Sequence, residues 1–366
     1  MPRVSIIIVT WNALPLLKRF LPSVLATDYP DFEVILADNA SADGSAAFVR
    51  ERFPSVEVVR HPENWRFCRG NNAALPHATG RYVVLLNNDV EVPPGWLHPL
   101  VEVMEDQPDV AAVQPKLLQT DEQEGAPRRF EYAGASGGFI DRAGYPFTRG
   151  RLFDTLEPDH GQYDDARDIF WATGAAIMLR RTALDGDAGS VGLLDETFEM
   201  HMEEIDLCWR LWRAGWRVRV EPASQVYHLG GSSLPQGSPR KTYYNFRNSL
   251  LMLYKHLPPR RWRRTFALRA GLDATAAARM VAQRRLSEAR AVVHAYRDFC
   301  CLKGRYAGER PASDADTVLP PYRRLVAADH FLCGRERFSE LPESRFRGPG
   351  RRRTADGGRR VSARKR

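Results

Sequence analysis

Across its 366 residues the chain lacks any uninterrupted apolar stretch near the roughly 20 residues that a bilayer-spanning helix needs, which argues against a transmembrane helix. Cysteine is scarce too. Cys68, Cys208, Cys300, Cys301 and Cys333 are odd in number and lack CxxC spacing, so neither a disulfide framework nor a structural zinc site is expected, and a reducing cytoplasm suits them. No basic leader, apolar segment and small-residue cleavage site follow one another at the start; Val4 to Val9 reads as a strand instead. The loop after it, Thr10-Trp11-Asn12-Ala13, has neither the glycines nor the Lys or Arg that cradle a triphosphate, which weighs against a nucleotidyltransferase.

With 43% hydrophobic and 27% charged residues, the composition is that of a globular protein long enough for one large domain and an appendage, or for two domains. The net charge of +8 is concentrated at the far end, from Arg345 to Arg366. A run so rich in Arg and Gly and so poor in apolar residues reads as a disordered tail able to touch anionic lipid or RNA. It has almost no aromatics for stacking bases, so no specific nucleic acid is expected; a scaffold or RNA-binding protein working through this tail is the rival reading from outside enzymology.

The first third alternates short β-branched runs with helical patterns. Strands are expected at Val4–Val9, Val34–Ala37 and Val56–Val59, with helices over Leu14–Ala26 and Ala46–Phe53 between them, then a helix near Gly95–Asp106 and a strand at Val110–Gln114. Such βαβ repetition implies a Rossmann-like, mainly parallel sheet covered by helices, whose strand-end loops converge on one edge. Residues from about Leu117 to Asp168 lack a steady period and read as hairpins and loops. A strand at Ala175–Leu179, an amphipathic helix over Glu203–Ala214 and a strand at Arg217–Val220 follow. Tyr243–His256 and Trp262–Phe299 read as helices, either packed on the domain with a wet basic face or lying against a membrane. The expected divisions are a catalytic domain over 1–238, with halves 1–116 and 117–238, a helical extension over 239–310 and a basic, partly disordered tail over 311–366.

The most informative stretch is Tyr82 to Glu91, an apolar strand that ends in Asn87, Asn88, Asp89 and Glu91. Ligands bind at such carboxyl ends in open α/β sheets, and hard oxygen donors suit magnesium or manganese with a diphosphate. The local alternative is an ordinary polar turn. Glu203, Glu204 and Asp206 open the later helix, where the helix dipole alone would favour acids. By helical spacing Glu203 and Asp206 share a face while Glu204 is turned about a hundred degrees away, and crowding of the three should raise one pKa.

These groups, with Val4 to Asn12, Asp38-Asn39-Ala40-Ser41-Ala42-Asp43-Gly44-Ser45, Gly70-Asn71-Asn72, and His228 after Val226-Tyr227, resemble family 2 glycosyltransferases of GT-A fold from about residue 3 to 256. Within the family the chain looks most like rhamnosyltransferase-type members of bacterial polysaccharide assembly. The resemblance implies a smaller mixed-sheet acceptor region and a helical C-terminal extension. It also implies that Asp38 accepts a hydrogen bond from a uracil or thymine ring, beside Thr10, Asn12, Asn39, Asn64 and Asn72. An ionised carboxylate is acceptor only, which suits that task; the local alternative is that Asp38 starts the turn or caps the helix after Ser45. Asn87-Asn88-Asp89 stands in place of the DxD motif with Asp89 at the metal position; an Asn replaces its first Asp, so Asn87 and Asn88 contribute hydrogen bonds and no charge. His228 is the implied second metal ligand, though a lone His is otherwise a structural residue.

Glu204 matches the family's base, with Glu203 as the fallback and Asp206 beside them. Asn64 to Asn72 resembles the family's Asn-x-Gly-Phe segment with Arg66 where Gly is usual, and Arg66 and Arg69 either contact diphosphate or are solvated. Trp171 to Ala175 would form the acceptor wall, with Gly174 letting the backbone approach and Trp171 either wall or core. The expected function is an inverting, hexosyltransferase-type enzyme that uses Mg²⁺ or Mn²⁺ and moves a sugar, rhamnose among the candidates, from a nucleotide-diphosphate donor to a glycan or lipid-linked glycan. It would work in the cytoplasm, with peripheral contact to the anionic inner face of the membrane.

Overall fold

The computed structural model describes residues 1–120, 127–185, 190–230 and 237–348. Strand β1 (Val4–Thr10) is almost entirely buried and pairs in parallel with β2 (Phe32–Asp38); α1 (Leu14–Leu25) connects them and buries Leu17, Phe20, Leu21 and Val24. Helix α2 (Ser45–Arg52) leads to β3 (Glu57–Arg60), which pairs in parallel with β2. Asp43 ties the first two helices together at their starts: one carboxylate oxygen accepts from the Leu14 amide at 2.8 Å and the other from the Ser45 amide at 3.0 Å. Helix α3 (Arg66–Ala74) precedes β4 (Tyr82–Leu86), whose residues are all buried, as a central strand covered on both faces requires. β5 (Val90–Glu91), α4 (Leu97–Asp106) and β6 (Val110–Gln119) complete the first half.

A small antiparallel sheet follows, built from β7 (Gly138–Ile140), β8 (Pro146–Thr148), β9 (Arg151–Leu152) and β10 (Thr155–Leu156). The smaller sheet expected as mixed is antiparallel throughout, and the strands expected at Ala175–Leu179 and Arg217–Val220 join the main sheet instead. Then come β11 (Arg167–Asp168), β12 (Ala176–Arg180), α5 (Arg181–Leu184), α6 (Glu203–Ala214) and β13 (Arg217–His228). The main sheet runs β11-β13-β6-β12-β4-β1-β2-β3, with β5 added alongside β13. The block β4-β1-β2-β3 is parallel as the βαβ pattern predicts; β12 runs antiparallel between β4 and β6, so the sheet as a whole is mixed. Apolar clusters fill both faces.

Three helices extend the domain: α7 (Pro239–His256), α8 (Pro259–Ala282) and α9 (Leu286–Leu302). The single helical stretch expected over Trp262–Phe299 is broken at Arg284, which has φ of 60°. α7 and α9 pack against each other, with Tyr243 Oη donating to Asp298 at 2.7 Å, and among the described residues no helix is long and apolar enough to cross a membrane. Residues 311–348, grouped in the sequence with the basic tail, fold back over the domain. Trp209 Nε1 donates to the Val318 carbonyl at 2.9 Å, Tyr322 is fully buried, and α10 (Val326–Phe331) begins with its Val326 amide bonded to Asp141 at 3.0 Å. The remainder of that tail, 349–366, lies outside the described residues.

Candidate active site

Parallel register aligns Thr10 with Asp38 and Asp38 with Arg60, so the ends of the first three strands form one continuous edge. Asp38 is buried: one carboxylate oxygen accepts from the Ser41 amide at 3.2 Å, while the other makes no hydrogen bond and lies 3.6 Å from Arg60 Nε. Asn12 adopts φ of 48° and accepts from the Ala42 amide at 2.8 Å. Asn88 donates to the Thr10 hydroxyl at 3.2 Å, joining the end of β4 to the end of β1. Thr10, Asn12, Asp38, Asn39 and Asn88 thus gather at the edge expected to receive a nucleoside.

Beyond Asn88 the chain turns into a cleft of about 400 Å³ whose walls include Asn87, Asp89, Glu131, Glu203, Glu204 and His228. The last residue of β13 brings His228 to this point, and β5 fixes the pairing of His228 with Val90. His228 Nε2 lies 3.0 Å from Asp89 Oδ1 and 3.4 Å from the Asn87 amide, and Nδ1 lies 3.2 Å from Glu131. Burial by itself would lower the imidazole pKa, yet Glu131 and Asp89 on its two sides raise it to about 10. Two buried carboxylates around one ring make a place that calls for positive charge. A carboxylate oxygen and an imidazole nitrogen also fit a divalent cation such as Mn²⁺. Among the described residues no group of three or more His, Cys, Asp and Glu has metal-binding geometry, so phosphate oxygens of a ligand would have to fill the coordination. Glu91, also read as an oxygen donor, is exposed on β5 instead.

On the opposite wall α6 opens with its acids. The chain enters it through Glu199, His201 and Met202, all at φ between 61° and 70°, a region that costs a non-glycine residue of order 1–3 kcal/mol. Asn248 of α7 holds this entry by donating to the carbonyls of Phe198, Met200 and His201 at 2.9, 2.9 and 2.8 Å. Glu203 and Glu204 both face the cleft. Burial and then Glu204 push the Glu203 carboxyl well above the usual range, and burial pushes Glu204 to about 7. Asp206 does something else: it is fully buried away from the cleft, 2.8 Å from Arg210, 3.1 Å from Lys255 and 2.8 Å from His256. Burial would raise its pKa, but Lys255 and Arg210 hold it well below normal. The expected pairing of Glu203 with Asp206 on one face therefore gives way to Glu203 with Glu204, and Asp206 is an anchor between α6 and α7.

Other expectations separate in the same way. Asn72 is tied to the Leu194 amide and carbonyl at 3.0 and 2.8 Å, and Asn64 accepts from the Arg66 amide at 2.9 Å, so both shape loops. Asn39 donates to the Arg66 carbonyl at 2.9 Å and keeps an unpartnered buried oxygen. Arg66 occupies the usual Gly position with φ of 57° and pairs with Glu199 at 2.7 Å, while Arg69 stacks over Trp65 at 4.0 Å. Gly174 lines the cleft, where an added Cβ would come within 3.3 Å of Phe67. Trp171 is core and wall at once: it is 2% exposed, donates to the Phe139 carbonyl, and lines a second cavity of about 330 Å³ that continues from the cleft past Glu204. Glu131, in the stretch without periodicity, is the site residue that the sequence did not signal.

A doubly covered α/β sheet with acids and a histidine meeting at its strand ends defines an enzyme of nucleotide-binding architecture. The sequence model described as Glycosyl transferase family 2 matches residues 5–184. The chain is 30% identical over 240 residues to the N-acetylglucosaminyl-diphospho-decaprenol L-rhamnosyltransferase of Mycobacterium tuberculosis (strain ATCC 25618 / H37Rv), covering 61% of this chain and 75% of that protein. It is 32% identical over 250 residues to the O-antigen biosynthesis protein RfbC of Myxococcus xanthus, covering 66% of this chain but 18% of that much longer protein. In fold it resembles the crystal structure of GalNAc-T7 with UDP, GalNAc and Mn2+, with a TM-score of 0.53 and 17% identity over 69% of this chain and 48% of that one. The chain belongs to glycosyl transferase family 2 and is a glycosyltransferase of GT-A fold.

Proposed function

We propose that the protein transfers a sugar, with inversion, from a nucleotide-diphosphate donor to a hydroxyl of a glycan or lipid-linked glycan in cell-envelope assembly. The observation that carries this reading is the meeting of Asp89 and His228 with Glu203 and Glu204 in one cleft, beside the strand ends that hold Asp38 and Thr10. The Mycobacterium relative's name, a rhamnosyltransferase acting on a diphospho-decaprenol, supports a bacterial envelope substrate and keeps rhamnose as the leading sugar.

Asp38 offers a buried acceptor oxygen to a ring N–H, with Thr10 and Asn12 beside it. Asn87 and Asn88 donate at the ribose end without adding negative charge. Asp89 and His228 would hold Mg²⁺ or Mn²⁺, which when bound supplies Lewis acidity to the departing diphosphate. Glu204, with its pKa near neutrality, accepts the proton of the attacking hydroxyl. Glu203, held protonated, presents a neutral carboxyl alongside. One base and one displacement need no covalent sugar intermediate, which is why inversion is expected.

A donor-hydrolysis screen with nucleotide sugars and added Mg²⁺ or Mn²⁺, run on the parent and on Asp89→Ala and Glu204→Gln, tests the assignment. Cleavage of one donor by the parent and its loss in both variants is expected; variants that hydrolyse like the parent would sink it.

A further inference from the structure

Two cations line the cavity on the acceptor side of the cleft, and among the described residues neither forms an ion pair. Arg151, on β9, is 8% exposed; its guanidinium lies 4.1 Å from the Tyr132 ring, one terminal nitrogen donates to the Phe153 carbonyl at 3.3 Å, and Nε has no partner. Lys241, in the first turn of α7, places Nζ 5.4 Å from the same ring. Asp154 and Glu204 line the cavity with them, and among the described residues neither acid forms an ion pair with either cation. Glu131 acts on Lys241 from a distance while engaged with His228 and the Ala133 amide. His201, on the wall of the same cavity, has a buried Nε2 without a partner among the described residues, and burial followed by Lys241 pushes its pKa down to about 4.

Holding like charges side by side works against folding, and the packing that holds them here, the Tyr132 ring and for Arg151 the Phe153 carbonyl, carries no negative charge. Burial, and after it the repulsion of Arg151, lowers the Lys241 pKa against the pull of Glu131. Such an arrangement makes sense with an anion between the cations, and the start of α7 adds the favourable end of a helix dipole. Lys241, His201 and Glu204 belong to both the catalytic cleft and the second cavity, whereas Arg151 belongs to the second cavity alone. That places the anion beyond Glu204 and away from Asp89 and His228.

We propose that Arg151, His201 and Lys241 form a subsite for a phosphate or diphosphate carried by the acceptor, which sets the acceptor hydroxyl against Glu204. The assignment rests on reading Glu204 as the base. The subsite itself is measurable without turnover. Calorimetric titration in metal-free buffer, with pyrophosphate, a hexose 1-phosphate and the neutral hexose as probes, compares the parent with Arg151→Gln, Arg151→Lys, Lys241→Gln and Asp89→Ala. Expected are phosphate-ester affinity at least about tenfold above that of the neutral hexose, a loss of about tenfold or more in Arg151→Gln and Lys241→Gln, and partial recovery in Arg151→Lys. Because Arg151 is buried and among the described residues forms no ion pair, Arg151→Gln should melt no lower than the parent. Equal affinity in all proteins, or a loss confined to Asp89→Ala, overturns the proposal. Sedimentation with phosphatidylglycerol vesicles separates the remaining source of phosphate. Parent and Arg151→Gln should sediment alike; vesicle binding that depends on Arg151 while hexose-phosphate affinity does not would overturn an acceptor subsite. Donor hydrolysis by the parent reports separately on the glycosyltransferase reading, so that reading can fail while the subsite stands.

Discussion

Replacing Glu204 by Gln should slow transfer and stabilise the fold at the same time. General-base catalysis contributes about 10²–10⁴-fold, so the transfer rate at neutral pH should fall by that range. Stability moves the other way because burial carries the carboxyl from its ordinary 4.5 to about 7. A raised carboxyl pKa means that the folded state holds the proton more tightly than the unfolded chain, so stability is lost as pH climbs from the unfolded value to the folded one. At about 1.4 kcal/mol per pH unit this amounts to about 3 kcal/mol above pH 7 as an upper bound. Gln has no charge to bury, so the variant should gain up to that amount near pH 8 and well under half of it near pH 5, by the same linkage. Urea unfolding at both pH values reads the stability, and single-turnover transfer reads the rate. A gain independent of pH, or transfer within about tenfold of the parent, would refute the reasoning about burial or about the base.

Parent transfer should itself rise with pH through about 7 as Glu204 ionises, and pH-rate profiles check this. Glu203→Gln mimics the protonated acid that the site favours and should cost about tenfold or less, far below Glu204→Gln in the same assay. Asp206→Asn removes the charge shared by Lys255 and Arg210 but leaves Asp195 2.8 Å from Lys255, so it should destabilise by about 1.5–3 kcal/mol, visible in denaturant melts. Asp38→Ala should weaken nucleoside diphosphate binding by about 1.5–3 kcal/mol in calorimetry, with a melting temperature near that of the parent.

Much of this could be read from the chain because its signals are local. The bounds of α6 match the sequence reading residue for residue, since its acids start it and Gly215, at φ of 94°, stops it. β13 was legible only to Val220, because Glu221-Pro222 reads as a break; the strand absorbs the proline at a register shift between Glu221 and Gln225 and continues to His228. α3 was hidden inside a motif whose Gly70, Asn71 and Asn72 are poor helix formers, and tertiary contacts override that propensity. Asp206 looked catalytic because its partners Lys255 and His256 lie at the far end of another helix, and Glu131 carried no pattern because only the fold brings it to His228.

The most direct measurement is a titration of nucleoside diphosphates, spanning uridine, thymidine and guanosine, with and without Mn²⁺, into the parent, Asp89→Ala and Glu204→Gln. The account predicts Mn²⁺-dependent binding of one of them to the parent and to Glu204→Gln, and its loss in Asp89→Ala. Binding that ignores both the metal and Asp89 would contradict the division of the cleft into a diphosphate end and a base.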